Sequence, residues 1–310
     1  MATEGSRKAI IAALLANLGI AVAKFVGFLL TRASSMLAES VHSLADSGNQ
    51  GLLLLGGSSA GRRPSVEHPF GYGRARYFWS FVVAVVLFTL GSMFSLYEGY
   101  HKLTDPEPIE SVGIAVGILV VAIVLEGFSF RTAVLEANHV RQGEGWWDFI
   151  RHSKTPELPV VLLEDLGAQV GLVLALIGVL LAAATGDPVW DAYGTLAIGS
   201  LLGVIAIVLA IEMKSLLMGE AASPRDVQAI QEAIEGQEGV RRVIHLKTQH
   251  LGPEELLVAA KVELDGTFSF AQVVQTIDAA EARVRDTVPA ARVMYIEPDV
   301  EPVAGVPGGS

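Results

Sequence analysis

Six apolar stretches dominate the first 218 residues of this chain, at roughly 9–31, 35–57, 77–102, 111–136, 158–184 and 189–217. About 20 mostly apolar residues make a helix long enough to cross hydrocarbon, where no water satisfies an exposed backbone. The segments Phe78 to Leu96, Val112 to Leu125 and Leu196 to Leu209 carry no charge at all, whereas the second and fifth stretches hold several polar side chains. The expectation is an all-α, six-helix transmembrane bundle over 1–218. A 51% hydrophobic content and a mean hydropathy of +0.48 agree with it. The basic N-terminus resembles that of a signal peptide. The apolar run behind it is too long and lacks a clean small-residue cleavage site, so it reads as a retained first span.

Lys and Arg fall on alternate loops: Arg7 and Lys8, then Arg62, Arg63, Arg74 and Arg76, then Arg131, Arg141, Arg151 and Lys154. The loops between them, "LTDPEPIES" and "TGDPVWD", are acidic. That asymmetry, with an even number of spans, puts both termini on the cytoplasmic side of the cell membrane.

After Glu220 the pattern becomes that of a soluble domain. "SPRDVQAIQEAIEG" reads as a helix capped by Ser223, "VRRVIHLKTQH" and "LLVAAKVEL" as a hairpin, "SFAQVVQTIDAAEARVRDTV" as a second helix and "ARVMYIEPDV" as a third strand. The order αββαβ over 219–301 is ferredoxin-like in outline. Residues 302–310, rich in Pro and Gly, read as a disordered tail.

Two function classes drop out on composition. The chain has no cysteine, so disulfides and thiolate metal ligands are excluded, and its net charge of −11 argues against a nucleic-acid partner.

The informative residues are those a bilayer should exclude. Glu39, His42 and Asp46, in "AESVHSLAD", recur at i, i+3 and i+7 and so share one helix face. One buried histidine is ordinarily a satisfied core residue. Three polar groups on one stripe, each with its own insertion cost, point instead to a cation site of imidazole and carboxylates. The fifth stretch supplies Glu164, Asp165 and Gln169; Asp165 and Gln169 share a face, while adjacent Glu164 and Asp165 diverge by about 100°. Elsewhere, Lys24 and Glu126 are expected to pair with each other or with another acid. Glu98 and Asp191 are expected to be solvated near the outer face.

At these residues the chain resembles a known family. "MLAESVHSLADSGNQ" looks like the second span of the cation diffusion facilitators, and "HPFGYGRARYFWSF" resembles the opening of their third. The resemblance implies a non-enzymatic, homodimeric, proton-coupled exporter of divalent cations, most often Zn²⁺, working by alternating access without a cofactor. It implies metal ligands at His42, Asp46 and Asp165. The family's fifth-span His-x-x-x-Asp pattern meets Val161 here, so Glu164, or Glu39, Gln169 or water as accessory groups, must complete the shell. Two alternatives stand beside this: export of Mn²⁺, Fe²⁺ or Co²⁺, which suits a carboxylate-rich set, or a non-transporting scaffold or sensor. In the cytoplasmic domain, Ala260, Lys261 and Ile296 stand where ligands are expected. That predicts no metal cluster there, with His245 and His250 as surface residues.

Overall fold

The computed structural model describes residues 4–299 apart from Gln142, with side chains described from Asn17 onward. The expected tail lies outside the described residues. The chain divides into two units, 1–58 with 76–214, and 59–75 with the chain from 215.

The first unit is all helical: α1 (Glu4–Thr31), α2 (Ser34–Ala60), α3 (Ala75–Thr104), α4 (Val112–Val140), α5 (Trp146–His152), α6 (Glu157–Thr185) and α7 (Val189–Met218). Every expected apolar stretch is helical, with bounds close to those read from the sequence. The short helix α5 was not anticipated, because seven residues are too few to show a period.

Helix ends follow local chemistry. Arg32 adopts a left-handed φ of 58° that breaks α1 from α2. Gly186, at φ 73°, closes α6 in the left-handed conformation glycine accepts without strain. The backbone N–H of Val189 then donates to Asp187 Oδ1 at 3.0 Å as α7 begins. Within α3, residues Leu87–Met93 form a π-helical segment.

Among the described residues, four helices are long and apolar enough to cross a bilayer: α3, α4, α6 and α7. By that measure four of the six expected spans are met among the described residues. Helix α2 falls short because its buried face is made of Ser34, Ser35, Glu39, Ser40, His42, Ser43, Ser47 and Asn49 rather than of Leu and Val. In α1 the described stretch Asn17–Thr31 is an apolar helix. The core of this unit is a cluster including Met36, Leu87, Leu119, Leu172, Ile198 and Leu202, all fully buried. Where α6 meets α7, a Cβ on Gly178 would stand 3.0 Å from the Trp190 carbonyl oxygen, so the two backbones touch only because no side chain intervenes.

The second unit contains α8 (Pro224–Glu235), β1 (Val240–Gly252), β2 (Glu255–Leu264), α9 (Phe270–Thr287) and β3 (Val293–Pro298). This is the expected αββαβ order. It forms a mixed three-stranded sheet, with β1–β2 antiparallel and β2–β3 parallel. Ser223 caps α8 by accepting the Asp226 backbone N–H at 3.1 Å. Ile230, Ile234, Val258 and Val284 fill the core between helices and sheet. The hairpin turn is tighter than "LGPEE" suggested, since Gly252 already pairs with Glu255. His245 is exposed as expected. His250 is not: it is 6% exposed, enclosed at the end of β1, and this corrects its assignment to the surface.

Candidate functional site

Helix α2 presents Glu39, His42, Asp46 and Asn49 to the interior of the bundle. Glu39, His42 and Asn49 are completely buried, and the Asp46 side chain is 18% exposed. The intervening small residues, chiefly Ser and Ala, let neighbouring helices come close enough to enclose these groups.

His42 Nδ1 lies 3.6 Å from Asp46 Oδ1, one helical turn on. Neither ring nitrogen of His42 has a hydrogen-bond partner, and neither does Asp46 Oδ1. Buried polar atoms are ordinarily satisfied, so orphaned ones call for an explanation such as a ligand. The imidazole packs beside Gly91 of the π-helical segment, where a Cβ would lie 3.9 Å from Nδ1.

Helix α6 supplies the facing groups. The Asn49 amide donates to Glu164 Oε1 at 2.6 Å, drawing Glu164 toward α2. Asp165 turns the other way and accepts a 2.9 Å bond from the Ser129 hydroxyl on α4. The divergence expected of adjacent residues is therefore realised, yet both carboxylates reach one small cavity of about 20 Å³. Asp46 and Glu126 line it too, and Val161 forms part of the same wall. Among the described residues, no three His, Asp or Glu side chains close into a metal-holding cluster. The arrangement thus brings Asp46 of α2 and Glu164 and Asp165 of α6 to one shared space, with His42 behind Asp46 and outside the lining of that space.

The accessory candidates lie elsewhere. Glu39 is taken by Lys24, whose Nζ sits 3.3 Å from Glu39 Oε2 and 3.6 Å from Glu126 Oε1. The expected pairing of Lys24 with Glu126 is present, with Glu39 as a second partner. Gln169 is half-buried, its Oε1 without a partner and near Gly127 of α4. Sequence reasoning gave no role to Asn49, Ser43 or Ser129.

Asp191 corrects another expectation. It is completely buried, not solvated, and accepts hydrogen bonds from the backbone N–H of Ser34 at 2.7 Å, that of Ser35, and the Ser35 hydroxyl. The first N–H groups of α2 have no partner within their own helix, and a carboxylate inside the bundle satisfies them. Glu98 is half-buried and accepts from the Ser34 hydroxyl at 3.0 Å.

Comparison with known proteins places this geometry in context. Residues 10–218 match the cation efflux transmembrane domain, and residues 222–299 match the cation efflux protein cytoplasmic domain. The chain is 34% identical over 265 residues to the mouse protein (Mus musculus) named proton-coupled zinc antiporter SLC30A9, mitochondrial, covering 85% of this chain and 47% of that one. Metal tolerance protein C4 of Arabidopsis thaliana is 30% identical over 85% of this chain and 58% of its own length. The manganese efflux system protein MneP of Bacillus subtilis (strain 168) is 23% identical, covering 81% and 82%. The chain spans about half the length of the first of these relatives. Among solved structures, a variant of the MamM C-terminal domain aligns with 26% of this chain and 94% of its own at 23% identity, with a TM-score of 0.24. The apolar helices α3, α4, α6 and α7 fall inside the first family match, which makes this a multi-pass membrane protein. The chain belongs to the cation diffusion facilitator family of cation efflux proteins.

Proposed function

We propose that this protein exports divalent metal ions, Zn²⁺ foremost, in exchange for protons by alternating access. The observation that carries the reading is His42, completely buried with both ring nitrogens unpartnered and 3.6 Å from Asp46. Leaving an imidazole and a carboxylate unsatisfied inside a bundle is costly unless a ligand repays it. One imidazole with carboxylates is a donor set that zinc accepts in four-coordinate geometry.

In this reading His42, Asp46, Glu164 and Asp165 hold the cargo ion, and Glu164 takes the place that Val161 cannot fill. Binding exchanges the Asn49 and Ser129 hydrogen bonds of Glu164 and Asp165 for metal bonds. Metal and protons compete for the same four groups, because each must be deprotonated to ligate. Cytoplasmic loading of the deprotonated site, rocking of the bundle and protonation from the far side complete the cycle. All six long helices cross the membrane with both termini cytoplasmic, and the C-terminal domain pairs two copies into a homodimer. The names of the mouse and plant relatives support metal transport, and that of the bacterial one supports Mn²⁺ as the second reading, favoured by three carboxylates against one imidazole.

Zn²⁺-driven proton flux in proteoliposomes tests the proposal, with Mn²⁺, Fe²⁺ and Co²⁺ in competition. Asp46→Ala and Asp165→Ala should abolish flux while leaving expression intact. Undiminished flux in both would sink the site, and Mn²⁺ outcompeting Zn²⁺ would select the second reading.

A further inference from the structure

We propose that the Lys24 ammonium is a resident cation filling a second cation position beside the transport cavity, restricting each protomer to one divalent ion. The inference rests on reading the cavity as a divalent-cation site.

Lys24 Nζ is surrounded by oxygen: Ser43 Oγ at 2.7 Å, Glu39 Oε2 at 3.3 Å and Glu126 Oε1 at 3.6 Å. Lys24 and Glu39 are completely buried, and Glu126 is 13% exposed. Two carboxylates and a hydroxyl form the hard-oxygen set that divalent cations take. Here they surround a compact point charge on a flexible stem. Glu39 keeps its other oxygen, Oε1, buried and without a partner, so this carboxylate has unused ligating capacity.

The position adjoins the cavity through shared residues. Ser43 and Glu126 touch Lys24 and also line the space reached by Asp46, Glu164 and Asp165. Five carboxylates therefore surround two neighbouring positions. One divalent ion and one ammonium bring three positive charges to them; removing the ammonium leaves an oxygen-lined position able to take a second ion.

The test is Zn²⁺ stoichiometry of the purified full chain in detergent, by equilibrium dialysis with metal counted by mass spectrometry. Wild type and Lys24→Arg should bind one ion per protomer and Lys24→Met two, and Lys24→Met/Glu126→Gln should return to one. One ion in Lys24→Met would mean that protons neutralise, or water solvates, Glu39 and Glu126 instead, and it overturns the proposal. No ion bound by wild type would instead overturn the transport-site reading, so the two failures are distinct. Should Lys24→Met not fold, its recovery as a monodisperse species when Zn²⁺ is supplied supports the second position. Failure to recover with Zn²⁺ present, while Lys24→Arg folds, overturns it.

Discussion

The carboxylate of Asp191 on α7 accepts the backbone N–H of Ser34, 157 positions earlier, at 2.7 Å. One side chain thereby fastens the beginning of α2 to a helix distant in sequence, two turns before His42. Position along α2, and with it the height of His42 and Asp46 in the bundle, is tied to that fastening.

Asp191→Ala should therefore destabilise the protein by about 1–3 kcal/mol, the scale for orphaned buried donors. Asp191→Asn, which keeps an acceptor oxygen but not the charge, should fall between. Thermal unfolding of the detergent-solubilised protein measures both, and an unchanged melting temperature in Asp191→Ala would contradict the capping role.

The Asn49 amide holds Glu164 toward α2 at 2.6 Å. Asn49→Ala removes that donor, so the proposed transport should show a raised KM for Zn²⁺ with a smaller effect on the maximal rate. Asn49→Asp sets two carboxylates against each other and should be worse than Asn49→Ala in the same flux assay. Equal defects in both variants would mean that Asn49 only packs.

Gly171 on α6 is where the buried Glu39 carboxylate fits. A Cβ there would stand 2.5 Å from Glu39 Oε1, too close without movement of Glu39 or α6. Gly171→Ala should cost about 1–3 kcal/mol, as overpacking does. Gly171→Ala/Glu39→Ala should show no further clash, and a double-mutant cycle of unfolding free energies would reveal that coupling.

Two surface groups give the cytoplasmic domain opposite responses to pH. The Thr267 backbone N–H and then its hydroxyl, with Arg241 beyond, hold the Asp265 carboxyl below its ordinary 3.8. Its contribution is present above 3.8 and lost as pH falls through the depressed value. Lys261 lies above its ordinary 10.5, held by the Asp299 hydrogen bond first and by the charges of Asp299 and Glu297. Its contribution is complete below 10.5 and lost as pH rises through the raised value. Hydrogen exchange at Thr267 should accelerate in Asp265→Asn at neutral pH and lose its acid-side response. Exchange around Asp299 should accelerate as pH rises through the raised Lys261 value.

Much of this was legible in the sequence because lipid permits few solutions. Long apolar runs had to be helices, and His42 with Asp46, four residues apart, had to share a face. Contacts across the bundle were hidden for the opposite reason: loops fix the order of helices but not their relative heights. Nothing local joins Asn49 to Glu164, 115 positions away. Asp191 was misjudged because nearness to a helix end suggests water, whereas the unpaired start of α2 needed an acceptor inside the protein. His250 was misjudged because polarity suggests exposure, whereas its backbone N–H donates to the Glu220 carbonyl and its ring Nδ1 lies 3.4 Å from the Gly252 carbonyl oxygen.

The π-helical segment of α3 leaves a mark on the spacing of buried positions. Leu87, Gly91, Ser95 and Gly99 stand four apart, with Ser92 and Lys102 buried beside them, so the buried face widens after the π-helical turn. Across those 12 residues an unbroken 3.6-residue wheel would drift by about a third of a turn. A helical wheel drawn straight through Ala75–Thr104 therefore misses part of the buried face in its second half, Ser92 above all. Cysteine labelling, residue by residue, would find a break in rhythm at Leu87–Met93. The third long helix behaves as two stripes spliced in series, and substitutions chosen from one half do not transfer by simple periodicity to the other.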